Sequence, residues 1–282
     1  MNTEILVSAE RLQQLISSGS CLPVDCRFDF LATKKGRNDW LAGHIPGAQH
    51  AHLDNDLAAP ISAGSGRHPL PDTSAFAQFL ASLGWTEGQL LVAYDSGSGA
   101  LASRLWWMMR YYGQASAILD GGLAAWTKAG FSLQSGAGEA RVVVAPNLQA
   151  NAAMTVSTEQ IMLNLKSSEF IVLDARATER FSGENETLDT SAGHIPGAIN
   201  RPMDLNLDER GVFKNANALR REFESLLGKT ATAPIVHSCG SGVTACHNFF
   251  AMELAGISSG RVYPGSWSEW IRDPSRPIET GD

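Results

Sequence analysis

The stretch of this chain best equipped for chemistry is Val236-His237-Ser238-Cys239-Gly240-Ser241-Gly242-Val243-Thr244-Ala245. An apolar, β-rich run ends at a cysteine, a glycine-rich turn follows, and a helix-like run continues from Val243 to Leu254. In α/β sheets, functional groups collect where strands end at their carboxyl edge. A tight turn entering a helix aims several backbone N–H groups at one point, and the helix N-terminus adds partial positive charge. Both favour an anion. If that anion is the Cys239 sulfur, the thiolate is preferred over the thiol and the residue is a nucleophile. The glycines let the backbone curl and approach the sulfur. The competing reading is an inert thiol sealed at a strand end. The other cysteines read differently: Cys26 lies beside a strand and belongs to a core, Cys246 packs a helix, and Cys21 precedes a strand with no charged helper.

Positioning such a loop takes a folded scaffold, and the chain is long enough for two. Its 282 residues are close to twice a typical domain of about 150. Hydrophobic residues make up 44% and charged residues 18%, an ordinary globular composition. Net charge is −7 and there is no long basic run, which argues against a nucleic-acid partner. No run of about 18 apolar residues exists to span a membrane. The start, Met1-Asn2-Thr3-Glu4, has neither a basic segment leading into an apolar one nor an Arg-rich leader, so we expect a cytoplasmic protein with reduced thiols. No zinc-ligand spacing joins histidines to cysteines, and no Gly-x-x-x-x-Gly-Lys is present, so neither a metal nor a cofactor is expected.

The chain also repeats itself. Gly43-His44-Ile45-Pro46-Gly47-Ala48 recurs 150 residues on as Gly193-His194-Ile195-Pro196-Gly197-Ala198. Val24-Asp25-Cys26-Arg27 is echoed by Leu173-Asp174-Ala175-Arg176, and Gly121…Trp126 by Gly265…Trp270. Matching the two Gly-Ser-Gly runs sets Ser96 opposite Cys239. So long a period means a duplicated domain rather than a solenoid. Each half opens with an N-cap serine, Ser8 or Ser157, the latter with Gln160 completing a capping box. Unalternating apolar runs (Leu90–Tyr94, Ile171–Leu173, Pro234–His237) read as strands buried on both faces, and Thr73–Leu83 and Asn217–Leu227 as amphipathic helices between them. The fold class is therefore α/β, two tandem domains, each a mostly parallel sheet flanked by helices. We set the boundaries at 1–138, a linker at 139–152, and 153–282; Arg141-Val142-Val143-Val144 is a candidate stray strand near the linker.

With these motifs the chain resembles the tandem rhodanese-type sulfurtransferases, and within them the 3-mercaptopyruvate sulfurtransferases. The resemblance rests on both Gly-His-Ile-Pro-Gly-Ala motifs, Asp174-Ala175-Arg176, the loop Cys239–Thr244 and the ending Gly265-Ser-Trp-Ser-Glu-Trp270. Family members acting mainly on thiosulfate carry basic residues after the cysteine, whereas Gly240-Ser241 is uncharged. The resemblance implies that Cys239 takes sulfur from a small-molecule donor as a persulfide, releasing pyruvate, and passes it to a thiol acceptor such as thioredoxin, or to cyanide. With Ser96 in the cysteine slot, the first half is read as catalytically silent.

The same resemblance assigns the supporting residues. His68, Asp56 and Ser241 match positions that assist catalysis, with Asp54 competing with Asp56. Arg180 matches an arginine that holds the substrate carboxylate, for which a forked guanidinium is suited. Gly240, Gly242, Val243 and Thr244 form the substrate-binding loop. Arg27, Arg176, His44 and His194 read as structural, because both halves have them. One departure stands out: a second arginine is usual about nine residues past the first, yet Ser182–Asp189 has none. Arg201 is the nearest basic residue and our candidate replacement. Trp267 and Trp270 fit a cleft wall or a core equally. Thiosulfate is the alternative donor, and a non-catalytic persulfide carrier the alternative of a different class. A Cys-dependent phosphatase or arsenate reductase would need an arginine at the far end of the loop, where Thr244-Ala245-Cys246-His247 offers none.

Overall fold

A computed structural model of the chain describes residues 4–138, 142–228, 233–258 and 260–281. The chain forms two compact units. The first contains Met1–Ala59, Leu70–Asn151 and Glu209–Phe213, the second Pro60–Pro69, Ala152–Asp208 and Lys214–Asp282. The division is thus not a single cut, since a short segment of the first half, 60–69, belongs with the second unit.

The first unit runs β1 (Leu6–Val7), α1 (Ala9–Ser17), β2 (Cys21–Asp25), α2 (Lys35–Ala42), β3 (Gln49–His50), α3 (Leu53–Asp56), α4 (Thr73–Ser82), β4 (Leu90–Tyr94), α5 (Ala102–Tyr111), β5 (Ser116–Leu119) and α6 (Gly122–Lys128). Its sheet has the order β1-β5-β4-β2-β3, with every pairing parallel. The apolar run Leu91–Tyr94 is buried on both faces, as its lack of alternation implies. Ser8 caps α1 by accepting the Arg11 amide, and Leu12 and Leu15 turn the helix's apolar side into the core beside Val92 and Trp126. Cys21 opens β2 rather than preceding it, and Cys26 is buried just past its end.

The second unit runs α7 (Thr158–Ser167), β6 (Ile171–Asp174), α8 (Thr178–Ser182), β7 (Ile199–Asn200), α9 (Ala216–Leu227), β8 (Ile235–Ser238), α10 (Ala245–Leu254), β9 (Arg261–Val262) and α11 (Ser266–Trp270). Its sheet order, β7-β6-β8-β9, is that of the first unit without an edge strand, and again every pairing is parallel. In place of that strand, Thr155 makes one parallel bridge to Val262. Ser157 and Gln160 form the expected capping box. Trp267 and Trp270 are fully buried with Ile161, Val172 and Val236, so their place is the core.

The repeated motifs do the same structural work twice. Arg27 pairs with Asp25 and donates to Gly43 O at 2.8 Å; Arg176 pairs with Asp174 and donates to Gly193 O at 2.9 Å. His44 Nδ1 lies 2.7 Å from Trp40 O and His194 Nδ1 2.8 Å from Phe181 O, and each histidine makes an isolated antiparallel bridge within its unit, to Gln134 or Glu279. Each Gly-His-Ile-Pro-Gly-Ala turn is thus held by its Asp-x-Arg arginine.

Of the expected linker, 139–141 lie outside the described residues. Val142–Val144 form no strand, although the Val143 amide donates to Ala81 O, and Leu148 is buried. Among the described residues no helix is long and apolar enough to cross a membrane.

Candidate functional site

β8 delivers Cys239 to the carboxyl edge of the second sheet, where the side chain is buried. Two polar groups face the sulfur. Sγ accepts the Gly242 amide at 3.1 Å, and the Ser266 hydroxyl lies 4.0 Å away. Gly242 has φ +77°, and a Cβ there would stand 2.2 Å from Pro264 O, so the turn that aims this amide at the sulfur accepts only glycine. The Cys239 amide donates to Ser266 Oγ (3.1 Å), and Ser266 donates to Tyr263 O (2.9 Å). The amides of Trp267 and Ser268 donate to Cys239 O (3.0 Å) and Gly240 O (2.8 Å), pinning the loop from the start of α11. Val243 and Thr244 complete the turn into α10, with Val243 O accepting the Cys246 amide.

The same hydrogen bonds in the first unit correct the repeat alignment. Leu123 and Ala124 amides donate to Asp95 O and Ser96 O, as Trp267 and Ser268 do to Cys239 O and Gly240 O. Cys26 N donates to Tyr94 O as Ala175 N does to Ser238 O. Asp95, not Ser96, therefore occupies the cysteine slot. The Gly-Ser-Gly match misses by one residue because the first unit's loop is one longer: α5 starts seven residues after Asp95, α10 six after Cys239. The Asp95 carboxylate fills its own loop, Oδ1 accepting from the amides of Gly97 and Gly99 and Oδ2 from those of Leu101 and Ala102, at 2.9–3.3 Å.

Around Gly240 the second unit gathers charge. Arg180, from α8, binds Glu186 through Nε and Nη2 and Asp189 through Nη2, each near 3 Å. Asp189 also pairs with Arg67 Nη1. A Cβ on Gly240 would stand 3.0 Å from Arg67 Nη2 and 3.6–3.7 Å from the two terminal nitrogens of Arg180, so both guanidinium groups lie over the residue that follows Cys239. Burial pushes the Glu186 carboxyl up, but hydrogen bonds from Arg180 and from the amides of Leu188 and Asp189 outweigh it and hold the group below the usual carboxylate range. Burial works against the Arg176 cation, but Asp174, Glu186 and the Cys239 sulfur keep it charged.

The residues named from sequence separate here. Cys239, Gly240, Ser241, Gly242, Val243, Thr244, Arg180 and His68 come together in the second unit. His68 lies on the 60–69 segment, and its Nδ1 is 2.7 Å from Ser241 Oγ in a buried contact. Asp56 lies in the first unit, where Oδ2 accepts the His52 amide at 2.7 Å at the start of α3, and burial raises its pKa. Arg201 is engaged elsewhere: its guanidinium binds Leu205 O, Asn206 and Glu222 and stacks over Phe223, none of them in the cysteine loop. Sequence reasoning missed Arg67, Asp189 and Ser266. Arg67 directly precedes the histidine already singled out, which was its only signal. Among the described residues no cluster of three or more His, Cys, Asp or Glu could hold a metal ion.

The family model described as the rhodanese-like domain matches residues 8–129 and again 157–273. A Pseudomonas aeruginosa protein named probable 3-mercaptopyruvate sulfurtransferase is 41% identical over all of both chains. The thiosulfate sulfurtransferase of Bos taurus is 31% identical, over 94% of this chain and 91% of its own. Among solved structures, the 3-mercaptopyruvate sulfurtransferase from Leishmania major superposes with a TM-score of 0.86 at 26% identity, covering 97% of this chain and 76% of that one.

Proposed function

The chain belongs to the rhodanese-like domain family, one copy in each half, and on that premise we propose that it is a sulfurtransferase carrying sulfur from 3-mercaptopyruvate to an acceptor through a persulfide on Cys239. The observation that carries this reading is the Cys239 sulfur at a strand end with the Gly242 amide at 3.1 Å. A fixed amide suits both a thiolate and a persulfide anion at no cost in reorganisation.

The Cys239 thiolate attacks the donor's sulfur, forming an S–S bond. The carbon–sulfur bond breaks, its electron pair stays on carbon, and the resulting pyruvate enolate takes up a proton. His68 and Ser241, 2.7 Å apart, are suited to relay that proton. A thiol such as thioredoxin, or cyanide, then attacks the outer sulfur, and Cys239 leaves again as thiolate. Arg180 holds the donor carboxylate above Gly240, and the loop Gly240–Thr244 encloses its reacting end. A cytoplasmic setting, which keeps thiols reduced, suits this chemistry.

Thiosulfate is the second reading, favoured by the Bos taurus relative. The uncharged Gly240-Ser241 pair favours the keto acid. The deciding experiment measures kcat/KM for both donors with one acceptor and follows pyruvate. We expect the mercaptopyruvate value to be the larger, with stoichiometric pyruvate, and Cys239→Ser to be inactive. Turnover without pyruvate, or an active Cys239→Ser enzyme, overturns the reading.

A further inference from the structure

We propose that Arg67 is a second substrate-binding arginine of this site, holding the donor's carboxylate together with Arg180, and that Asp189 is the residue that positions both. The inference rests on the donor reading above.

The base of Arg67 is fixed. Its amide donates to Ser268 Oγ at 3.0 Å, and a Cβ on the preceding Gly66 would stand 2.6 Å from Gly265 O, so the chain lies tight against the start of α11. The tip is fixed as well. Asp189, almost fully buried, binds Arg67 through one carboxylate oxygen and Arg180 through the other, at 3.0 Å for Arg180. One carboxylate thus sets the spacing of two guanidinium groups. Arg67 Nη2 and Arg180 Nη1, which those pairs leave for other use, are both among the atoms above Gly240. The two side chains are 30% and 19% exposed, open enough to receive a ligand. Arg67, Asp189, Ser268 and Arg272 also line a cavity of about 300 Å³; Cys239, Gly240 and Arg180 are not among its lining residues, and the Ser268 amide holds Gly240.

Charge favours a monoanion over a dianion. Arg67, Arg176 and Arg180 are balanced by Asp174, Glu186 and Asp189 in one connected network. A monoanion adds one charge to a neutral cluster. A dianion such as thiosulfate adds two, at a larger cost. The position about nine residues past Arg180, where the family usually supplies its second arginine, is Asp189, so the cation at this point comes from a distant loop instead.

The test uses the full-length enzyme. Arg67→Ala is expected to raise KM for 3-mercaptopyruvate about tenfold or more, with kcat changed far less, as loss of a charge-assisted contact made equally in ground and transition states requires. Arg67→Lys should recover part of it, and Asp189→Asn, which releases both guanidinium groups, should also raise KM with kcat changed far less. A second readout needs no turnover: pyruvate should protect Cys239 from alkylation, about tenfold less well in Arg67→Ala. An unchanged KM together with unchanged pyruvate protection overturns the proposal. So does a kcat loss that equals the loss in kcat/KM. If the wild type releases no pyruvate on turnover yet is protected by it through Arg67, the donor reading fails while Arg67 stands as a carboxylate-binding arginine only.

Discussion

Two loops of one ancestry occupy equivalent places at the ends of β4 and β8, and only one carries a sulfur. In the first unit the Asp95 carboxylate collects four backbone amides and is satisfied within its own turn. In the second, a turn one residue shorter gives the Cys239 sulfur the Gly242 amide, with a serine hydroxyl nearby. Backbone donors turned toward such a slot are therefore not a catalytic device by themselves. They serve structure when the chain fills the slot with its own anion, and chemistry when the anion is a nucleophile that can acquire another atom. The residue facing the slot differs as well. Gly122 and Ser266 both have φ near +52°, but only the serine adds a hydroxyl, at some backbone strain.

Exchanging residues between the loops tests this contrast. Cys239→Asp, which copies the first unit, should lower turnover at least about a thousandfold and abolish the mass gain of one sulfur after donor treatment, while the protein still folds. Residual persulfide on this variant would mean another thiol does the work. Ser266→Gly, which copies Gly122, should cost about tenfold in kcat while the melting temperature changes little, because the strain relieved offsets the two hydrogen bonds lost. A fall in melting temperature with kcat intact would make Ser266 structural only. Asp95→Ala should leave kcat unchanged but destabilise the protein by about 3 kcal/mol in chemical denaturation, since buried amides lose their acceptor. A stable variant would show the carboxylate to be idle.

The smallest effects come from two carboxylates with opposite shifts. Glu186 is held below its ordinary pKa chiefly by Arg180, against burial, so its stabilisation is complete above about pH 4.3 and is lost as pH falls through the depressed value. Asp56 is raised by burial, so its contribution is present below about pH 3.9 and lost as pH rises through the raised value. Melting temperature against pH should therefore fall less steeply on the acid side in Glu186→Gln, and be slightly higher at neutral pH in Asp56→Asn. Matching curves for wild type and both variants would discard both assignments.

What sequence could disclose followed contiguity. The cysteine loop, the capping box at Ser157 and the Asp-x-Arg pairs each lie within a few residues, and their geometry follows from local rules. The parallel sheets were legible in unalternating apolar runs, because strands covered on both faces have no polar side to show. The one-residue slip at Ser96 arose because identical Gly-Ser-Gly triplets outweigh a difference in loop length, which only the backbone pairing of Asp95 exposes. Arg67 and Asp189 are 122 residues apart, and no local pattern ties a loop arginine to an aspartate at that distance. Proximity in sequence points to Arg201, but a charged residue just after a strand finds its partners across the unit, here Glu222 of α9.

The placement of residues 60–69 in the second unit bears on how this protein can be dissected. A clone of the C-terminal half alone would hold the reactive sulfur yet lack Arg67 and His68, which are encoded ahead of the duplication's second copy. The first half is consequently hard to discard in evolution: a gene that trimmed it away would also remove a segment that belongs to the second unit.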